Sequence, residues 1–357
     1  MTSPSSRHAH VVGLGLIGAS VALALRHAGW TVTGTDLDGD VVLAALAAHV
    51  IEGDVPAANV GLIVIATPAG SVAGLARQLL DEHVSPSLIV TDVAGVKGSI
   101  VRAVDDPRFL AGHPMAGSEQ RGLRGARADL FNGCTWVLTP TAATRPATYG
   151  ELHGVLREIG ANVVAVSADD HDRLVALASH VPHLLAGALM NEAAQAAEED
   201  AILLQMAAGG FRDMTRVAAG DPTIWPDVLF ENRAAIVQTL RALEERLETL
   251  RTALDNGSRD VVERSLSTAS VARRQLPGRA LSAENLAYLR VSVSDQPGVL
   301  ASVTMAASDL LVNIYDIEIA HGIEGVSGTL LLAIDATQSE VFTAALLARG
   351  FSVAIER

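Results

Sequence analysis

Cysteine is almost absent from this 357-residue chain, which contains Cys134 and no other. An internal disulfide is therefore excluded, and a chain with one thiol is typical of the reducing cytoplasm. The first ten residues also lack the apolar core that a secretory signal peptide requires. We therefore expect a soluble cytoplasmic protein whose fold depends on its core rather than on covalent cross-links.

Basic residues are few: 26 Lys and Arg stand against 40 Asp and Glu, which gives a formal net charge of −14. A field of this sign repels phosphate, so we expect neither nucleic acid nor an anionic membrane surface as a partner. Any anionic ligand must then be held by local arginines, histidines and helix N-termini.

Long hydrophobic runs that could span a membrane are lacking as well. Residues 55–76 carry no charge, but prolines and glycines divide this stretch into a strand, a turn and a helix start (Pro56, Gly61, Pro68, Gly70 and Gly74). Aromatic residues make up only 3% of the chain, although 49% of it is hydrophobic. This composition is typical of an α/β enzyme with two or three domains and argues against disorder.

Strand-like and helix-like segments alternate in the first half of the chain. The strand-like runs are apolar or β-branched, end at Gly, Asp or Pro, and comprise residues 9–12, 30–35, 62–66, 88–91, 136–139 and 162–166. Such alternation predicts a parallel sheet covered by helices on both faces. We assign residues 1–167 to this first domain.

The segment GLGLIG at residues 13–18 follows the first predicted strand and opens a predicted helix. This is the context that a dinucleotide-binding fingerprint requires, and it indicates a Rossmann-type domain. Gly13 allows a tight turn, Gly15 lets the backbone approach the diphosphate, and Gly18 lets helix and strand pack closely. The helix start, with Leu16 and Ile17, supplies unpaired N–H donors to the phosphates.

An acidic residue, Asp36, ends the second predicted strand. A carboxylate there accepts hydrogen bonds from the adenosine ribose hydroxyls and repels a 2′-phosphate, as do the nearby Asp38 and Asp40. The cofactor predicted is therefore NAD rather than NADP. The alternative is that Asp36 only caps a helix at a structural turn. Thr67 and Pro68 end the third strand at the same edge, where they either contact the cofactor or only form a turn.

Strand signals vanish between residues 168 and 276, where apolar residues recur at three- and four-residue intervals. We predict an all-helical domain over residues 168–284. A leucine stripe within it packs inside one bundle or forms a dimer interface (Leu240, Leu243, Leu247 and Leu250). After the break at 277–279, the order βαββαβ predicts a ferredoxin-like third domain at residues 285–357.

A histidine stands in the segment GHPMAGSE at residues 112–119. Pro114 forces an extended backbone at His113, and Gly112 and Gly117 remove bulk around it. We interpret His113 as a presented side chain rather than a packed one. A neutral imidazole there accepts a proton from a substrate hydroxyl while hydride leaves for the nicotinamide.

Two further polar segments lie in the helical region. In SHVPH at residues 179–183, Pro182 requires a kink or a helix restart, and Val181 before it is biased away from helical geometry. A restart at Pro182 would put His183 in a first turn, where an anion is favoured. In GGFRDMTR at residues 209–216, Arg212 and Arg216 are four apart, and Arg216 is suited to hold a carboxylate.

The segments GLGLIG, GHPMAGSE, SHVPH, GGFRDMTR and DPTIW, in this order over residues 9 to about 235, resemble the prephenate dehydrogenase family. The region after residue 287 resembles an ACT domain, with the turn DQPGVL at residues 295–300. The resemblance implies an NAD-dependent oxidative decarboxylation of prephenate to 4-hydroxyphenylpyruvate in tyrosine biosynthesis, by a homodimer.

Roles for individual residues also follow from this resemblance. His113 would take the proton of the ring hydroxyl, Arg216 would anchor a carboxylate, and His183 would line the same pocket. His180 and Ser118 are the other candidate substrate contacts. The sequence shows no cluster of metal ligands, and loss of CO₂ needs none.

One position departs from the family pattern. The segment before His113 usually reads Asp-x-x-Ser-Val-Lys, and its serine orients the histidine. Here Gly95 replaces that serine in DVAGVK at residues 92–97. The hydrogen bond to His113 must come from elsewhere, from a water or not at all, and Ser118 is one candidate.

Alternative functions remain open at this point. Arogenate dehydrogenase acts on the amino counterpart of prephenate, and a generic hydroxy-acid dehydrogenase shares the architecture. A non-catalytic amino-acid sensor is a candidate of another class. The ACT-like region suggests an effector site at Asp295, Gly298 and Asn313. L-Tyrosine is the expected effector there, phenylalanine or tryptophan are alternatives, and a structural role is the further possibility.

Overall fold

The computed structural model describes residues 7–116, 120, 122–199, 202–203, 206–220, 222, 225–275, 286–294, 296–321 and 327–356. The chain divides into two compact units, Met1–Glu244 and Glu245–Arg357. The first unit holds the sheets and most of the helical region, and the second holds the end of that region and a C-terminal sheet.

The first unit is built on a parallel sheet with the strand order β2-β1-β3-β4. Its strands are β1 (His8–Val12), β2 (Thr31–Thr35), β3 (Leu62–Ile65) and β4 (Ile89–Asp92), and its helices are α1 (Leu16–His27), α2 (Gly39–Ala47), α3 (Ala69–Glu82) and α4 (Gly98–Ala103). Side chains of β3 alternate between two hydrophobic cores, Leu62 and Val64 in one, Ile63 and Ile65 in the other. Because successive strand residues point to opposite faces, the sheet is covered on both. This confirms the predicted Rossmann-type sheet.

The later strands of this unit differ from the prediction. The segments at 136–139 and 162–166 were expected to continue the parallel sheet, and this was wrong. A separate sheet contains β5 (Ala111–Pro114), β6 (Thr135–Thr139) and β7 (Asn162–Ala165), with α5 (Pro146–Glu158) between the last two. Strand β5 runs antiparallel to β6 and was missed, because Gly112 and Pro114 are poor strand formers.

The described residues between 168 and 275 form helices joined by short turns, without a strand, as predicted. It contains α6 (Ala168–Val175), a π-helical turn (Ala176–His180), α7 (Val181–Glu199), α8 (Gly209–Thr215), α9 (Trp225–Glu231), α10 (Arg233–Asp255) and α11 (Arg259–Arg274). Leu240 and Leu243 pack against a small core of Ala176, Val181 and Ile236, whereas Leu247 is exposed. The leucine stripe therefore serves intrachain packing only in part.

Within the described residues, one helical stretch, Ala168–Glu198, is long and apolar enough to cross a membrane by length and composition alone. Core helices of soluble proteins pass the same test. Its first turns carry Asp169, Asp170, Asp172 and Arg173.

The C-terminal part of the second unit contains β8 (Leu286–Ser294), α12 (Val299–Asp309), β9 (Ile314–His321), β10 (Ser327–Asp335), α13 (Ser339–Ala348) and β11 (Ser352–Glu356). These elements occur in the predicted order. They form an antiparallel sheet with the strand order β11-β8-β10-β9. Leu289, Leu332 and Phe342 lie in a core between this sheet and its helices.

A buried histidine links the first two strands of the parallel sheet. His10 on β1 lies 2.8 Å from Thr33 Oγ1 and 3.3 Å from Thr35 Oγ1 on β2. Burial, with a smaller contribution from His83, lowers the pKa of His10 from 6.5 to about 4. The folded state therefore keeps this imidazole neutral at pH values where an unfolded chain protonates it.

We expect His10 to make stability depend on pH. Its contribution is fully present above pH 6.5 and is lost as the pH falls through about 4. The slope from one such group is up to about 1.4 kcal/mol per pH unit. The difference in unfolding free energy between the protein and His10→Gln should therefore shrink over this interval. Chemical denaturation measures it, with His27→Gln on the exposed side of α1 as the control. A difference independent of pH would contradict the assignment.

Candidate active site

The glycine-rich loop between β1 and α1 has the geometry of a diphosphate cradle. Gly13 has φ +94°, and a Cβ there would lie 2.5 Å from the carbonyl oxygen of Ala66. A Cβ at Gly18 would lie 1.9 Å from the carbonyl oxygen of Gly13, so both positions require glycine. Gly15, in contrast, faces open space and begins α1 without a side-chain cap. The first N–H groups of α1, at Leu16 and Ile17, are thus available to an anion.

Asp36 ties this loop to the end of β2. Its Oδ2 accepts the backbone N–H of Leu14 at 2.7 Å, and its Oδ1 accepts that of Asp38 at 3.0 Å. The cap of α2 is Asp38, which accepts from Asp40 N at 2.9 Å, so Asp36 is not the helix cap. Thr67 follows β3 and lies beside the loop, within 3.2 Å of the position that a Cβ on Gly13 would take. Pro68 begins α3. These residues fit the adenosine and diphosphate parts of NAD.

His113 lies on β5, where it pairs with Val137 of β6. The extended backbone predicted at this position is confirmed. The side chain is half-buried, and its Nδ1 lies 2.9 Å from Nε2 of His171 on α6. Nδ1 of His171 in turn lies 2.8 Å from Oδ1 of Asp172.

Asp172 also bonds to the start of α4. Its Oδ1 accepts the backbone N–H of Lys97 and its Oδ2 that of Gly98, each at 2.8 Å. Burial by itself would raise the pKa of this carboxyl, but the hydrogen bonds from His171, Lys97 and Gly98 outweigh it and lower the pKa below its usual range. Asp172 is therefore an anion at neutral pH.

A fully buried ion pair, Lys97 with Asp92 at the end of β4, holds the backbone next to His113. Lys97 Nζ donates to the carbonyl oxygen of Gly112 at 2.7 Å, and Asp92 Oδ1 accepts the N–H of Gly112 at 3.1 Å. Both polar groups of the residue before His113 are thus fixed. The sequence offered one signal of this pair, two opposite charges within a largely apolar segment, and the prediction did not use it.

The environment of His113 keeps its imidazole neutral. Burial, followed by the charge of Lys97 and the proximity of His171 and His180, holds its pKa well below the ordinary value. Gly95 adjoins the ring: a Cβ there would lie 3.8 Å from both Nε2 and Cε1 of His113. Position 95 therefore faces the Nε2 side of the imidazole, opposite the bond to His171.

The other two predicted histidines contact a common aromatic ring, Trp225. His183 stacks on Trp225 at 3.6 Å between centroids, and His180 meets it edge-on at 6.4 Å. His180 Nδ1 also lies 3.1 Å from Nδ2 of Asn232, which donates to the backbone oxygen of Asp172 at 2.7 Å. Trp225 and Asn232 were missed as site residues, because their roles depend on packing between helices distant in sequence.

The chain does not leave helical geometry before Pro182. Val181 has φ −64° and ψ −42°, so its predicted bias away from the helix was wrong. The π-helical turn widens the helix instead and accommodates a residue without an N–H. His183 lies in the first turn of α7, but that turn continues from the π-helical turn and offers no free helix start.

The remaining predicted residues are less closely tied to His113. Arg216 is exposed and begins a 3₁₀ turn (Arg216–Ala219) after α8, and the following Gly220 lies against the ring of His183. Gly298 has φ +93° and begins α12, and Asn313 is exposed before β9. Ser118 and Asp295 lie outside the described residues.

The cradle follows the parallel strand β1, and Asp92 at the end of the parallel strand β4 bonds to the residue before His113. Parallel sheets bind ligands at this edge. Together the cradle and the imidazole define the class of protein: the chain is an NAD-dependent oxidoreductase.

Comparison with known proteins identifies the family. Profiles for the nucleotide-binding and dimerization domains of prephenate dehydrogenase match residues 21–165 and 167–268. Prephenate dehydrogenase of Bacillus subtilis is 30% identical over 90% of this chain and 91% of its own length. The chain belongs to the prephenate dehydrogenase family.

Two solved structures are similar to this chain over most of their length. The A. aeolicus prephenate dehydrogenase in complex with hydroxyphenyl propionate and NAD⁺ has a TM-score of 0.72 and 26% identity, covering 77% of this chain and 100% of that one. Arogenate dehydrogenase of Synechocystis has a TM-score of 0.65 and 31% identity, covering 74% and 98%.

We expect the carboxylate of Asp36 to set the preference for NAD over NADP. In Asp36→Asn, the efficiency with NAD should fall about tenfold or more, because hydrogen bonds to a charged group contribute about 1.5–3 kcal/mol each. Steady-state kcat/KM with each cofactor measures the effect. Asp38→Asn is the matched control, because asparagine caps a helix equally well. Equal efficiency of the unaltered protein with NADP would contradict the assignment.

Proposed function

We propose that this chain catalyses the NAD-dependent oxidative decarboxylation of prephenate to 4-hydroxyphenylpyruvate. The observation that carries the proposal is His113: a half-buried imidazole, kept neutral, bonded at Nδ1 and bordered at Nε2 by a residue without a side chain. Such a group accepts the proton of the substrate's ring hydroxyl.

The residues around His113 account for the proton and the charges in the reaction. NAD, when bound, accepts the hydride from the hydroxyl-bearing carbon. As the ring carboxylate leaves as CO₂, its electron pair aromatises the ring, and the proton held by His113 can return to the phenolate oxygen. The reaction written in this way needs neither a metal ion nor a second acid. We assign substrate contacts to His180, His183, Arg216 and Ser118, with Trp225 as the wall against which the histidines pack.

We expect His113→Asn to lower kcat with prephenate roughly a hundredfold or more, since a positioned general base contributes about 10²–10⁴. Formation of NADH, followed by its absorbance, measures the change in kcat. His27→Asn on α1, exposed to solvent, is the control and should be unchanged. A near-normal rate in His113→Asn would remove this residue from its role.

Arogenate is the competing substrate, and the Synechocystis arogenate dehydrogenase is among the similar structures. The two substrates differ in a keto against an amino group on the side chain. Relative kcat/KM for prephenate and arogenate with NAD decides between them. Absence of NADH formation with both, alongside binding of an aromatic amino acid, would favour the non-catalytic sensor instead.

We also propose a homodimer with three domains, at residues 1–167, 168–284 and 285–357. The family's dimerization profile covers residues 167–268 and includes the leucine stripe. Leu247 and Leu254 on α10 are 54% and 70% exposed, which leaves apolar surface for a second copy. The single cysteine supports a cytoplasmic location.

The C-terminal sheet supports an ACT-like, ferredoxin-like domain. Its strand order puts the first and third strands of the βαββαβ unit, β8 and β10, at the centre and the other two at the edges. We assign L-tyrosine as its effector, bound near Asp295, Gly298 and Asn313. Gly298 has φ +93°, a conformation that favours glycine, so this position before α12 carries no side chain.

Tyrosine should then inhibit the enzyme, and Asn313→Ala should raise the half-inhibitory concentration roughly tenfold, the effect of one lost hydrogen bond of about 1.4 kcal/mol. Its uninhibited kcat should match that of the unaltered protein. Inhibition assays on the full chain measure both. Equal inhibition of the variant would place the effector elsewhere, and no inhibition at all would leave the domain a structural role.

A further inference from the structure

A chain of hydrogen bonds leads from Asp172 to the proposed base. Asp172 Oδ1 and His171 Nδ1 are 2.8 Å apart, and His171 Nε2 and His113 Nδ1 are 2.9 Å apart. His171 is 1% exposed, so water does not compete for its ring nitrogens. The direction of each bond in this chain decides which nitrogen of His113 is left to react.

The first direction is fixed by the carboxylate. An ionised Asp172 can only accept, and it already accepts the backbone N–H groups of Lys97 and Gly98. Its bond to His171 must therefore be donated by Nδ1–H of His171. Hydrogen bonds lower the pKa of Asp172 despite its burial, which is consistent with a permanent acceptor.

The second direction follows from the first. A neutral imidazole carries one N–H, so His171 with its proton on Nδ1 has a bare Nε2 that accepts. Nδ1 of His113 must then donate, and its Nε2 is left without a proton. These directions apply to the neutral form of His171.

We infer that Asp172 and His171 are positioning residues that hold His113 in the Nδ1–H tautomer, with Nε2 as the proton acceptor. The inference rests on the proposed role of His113 as the base. It also assigns what orients the ring in a chain where Gly95 replaces the family's serine. The ring is held from its Nδ1 side, whereas position 95, beside Nε2 and Cε1, has no side chain that could replace this bond.

Two substitutions at His171 separate orientation from packing. In His171→Gln the terminal amide reaches the position of the former Nε2, and its oxygen can still accept from His113. In His171→Asn the amide reaches only the position of Nδ1, so His113 loses its partner. We expect kcat with prephenate to fall roughly 10–100-fold in His171→Asn, with KM changed less than about twofold, and to recover most of this loss in His171→Gln.

Asp172→Asn tests the far end of the chain, since an amide can donate to His171 and reverse both bonds. We expect the same loss of kcat. Asp170→Asn is the matched control on the same helix: Asp170 is exposed and pairs with Arg173, and its replacement should leave kcat unchanged. Thermal unfolding of each variant monitors folding.

The tautomer itself is read by ¹⁵N NMR of the histidine rings in the full-length protein without substrate, with His113→Asn used for assignment. The expected result is a protonated Nδ1 and a bare Nε2 at His113 near neutral pH. A protonated Nε2 in the unaltered protein, or full kcat in His171→Asn, would overturn the inference. Because this spectrum needs no turnover, a protein that shows the expected tautomer but does not oxidise prephenate refutes the proposed function alone.

Discussion

The site depends on the hydrogen bonds that the carboxylate of Asp172 accepts. This carboxylate lies on α6 in the helical region, yet it accepts the first backbone N–H groups of α4 beside the parallel sheet, at Lys97 and Gly98. A Cβ at Gly98 would lie 2.8 Å from Asp172 Oδ2, so glycine is needed for this approach. The same carboxylate bonds to His171, and through it to His113. One anion thus joins the helical region to the sheet and connects both to His113.

The buried pair of Lys97 and Asp92 is the second constraint. Two desolvated charges stabilise a fold little compared with apolar packing, but removing one partner typically costs about 3–5 kcal/mol because the other is left uncompensated. Here the pair also fixes the N–H and C=O of Gly112, and the charge of Lys97 helps to keep His113 neutral. The pair therefore serves to fix the backbone beside His113 and to keep its imidazole neutral, and the fold is less stable for it than with apolar packing.

The outline of the first unit could be predicted because its signals are local. Alternating apolar residues define β1 to β4, and the spacing of Gly13, Gly15 and Gly18 follows from sterics within one turn. The second sheet could not be predicted in this way. Strand β5 has little intrinsic preference for extended pairing and forms because β6 lies beside it, whereas the π-helical turn before Pro182 reflects packing of a continuous helix that local rules expected to break.

The sequence by itself determined the glycine-rich loop and the all-helical middle region, and it singled out Asp36 and His113 as the candidates for cofactor preference and proton transfer. The tertiary structure decided what holds that histidine. His113 and His171 are 58 residues apart, and Lys97 and Asp172 are 75 apart. No periodicity connects residues at such separations; they meet because α4, α6 and β5 pack against one another. A dinucleotide fingerprint is a property of one loop, whereas the orientation of an imidazole is a property of everything that surrounds it.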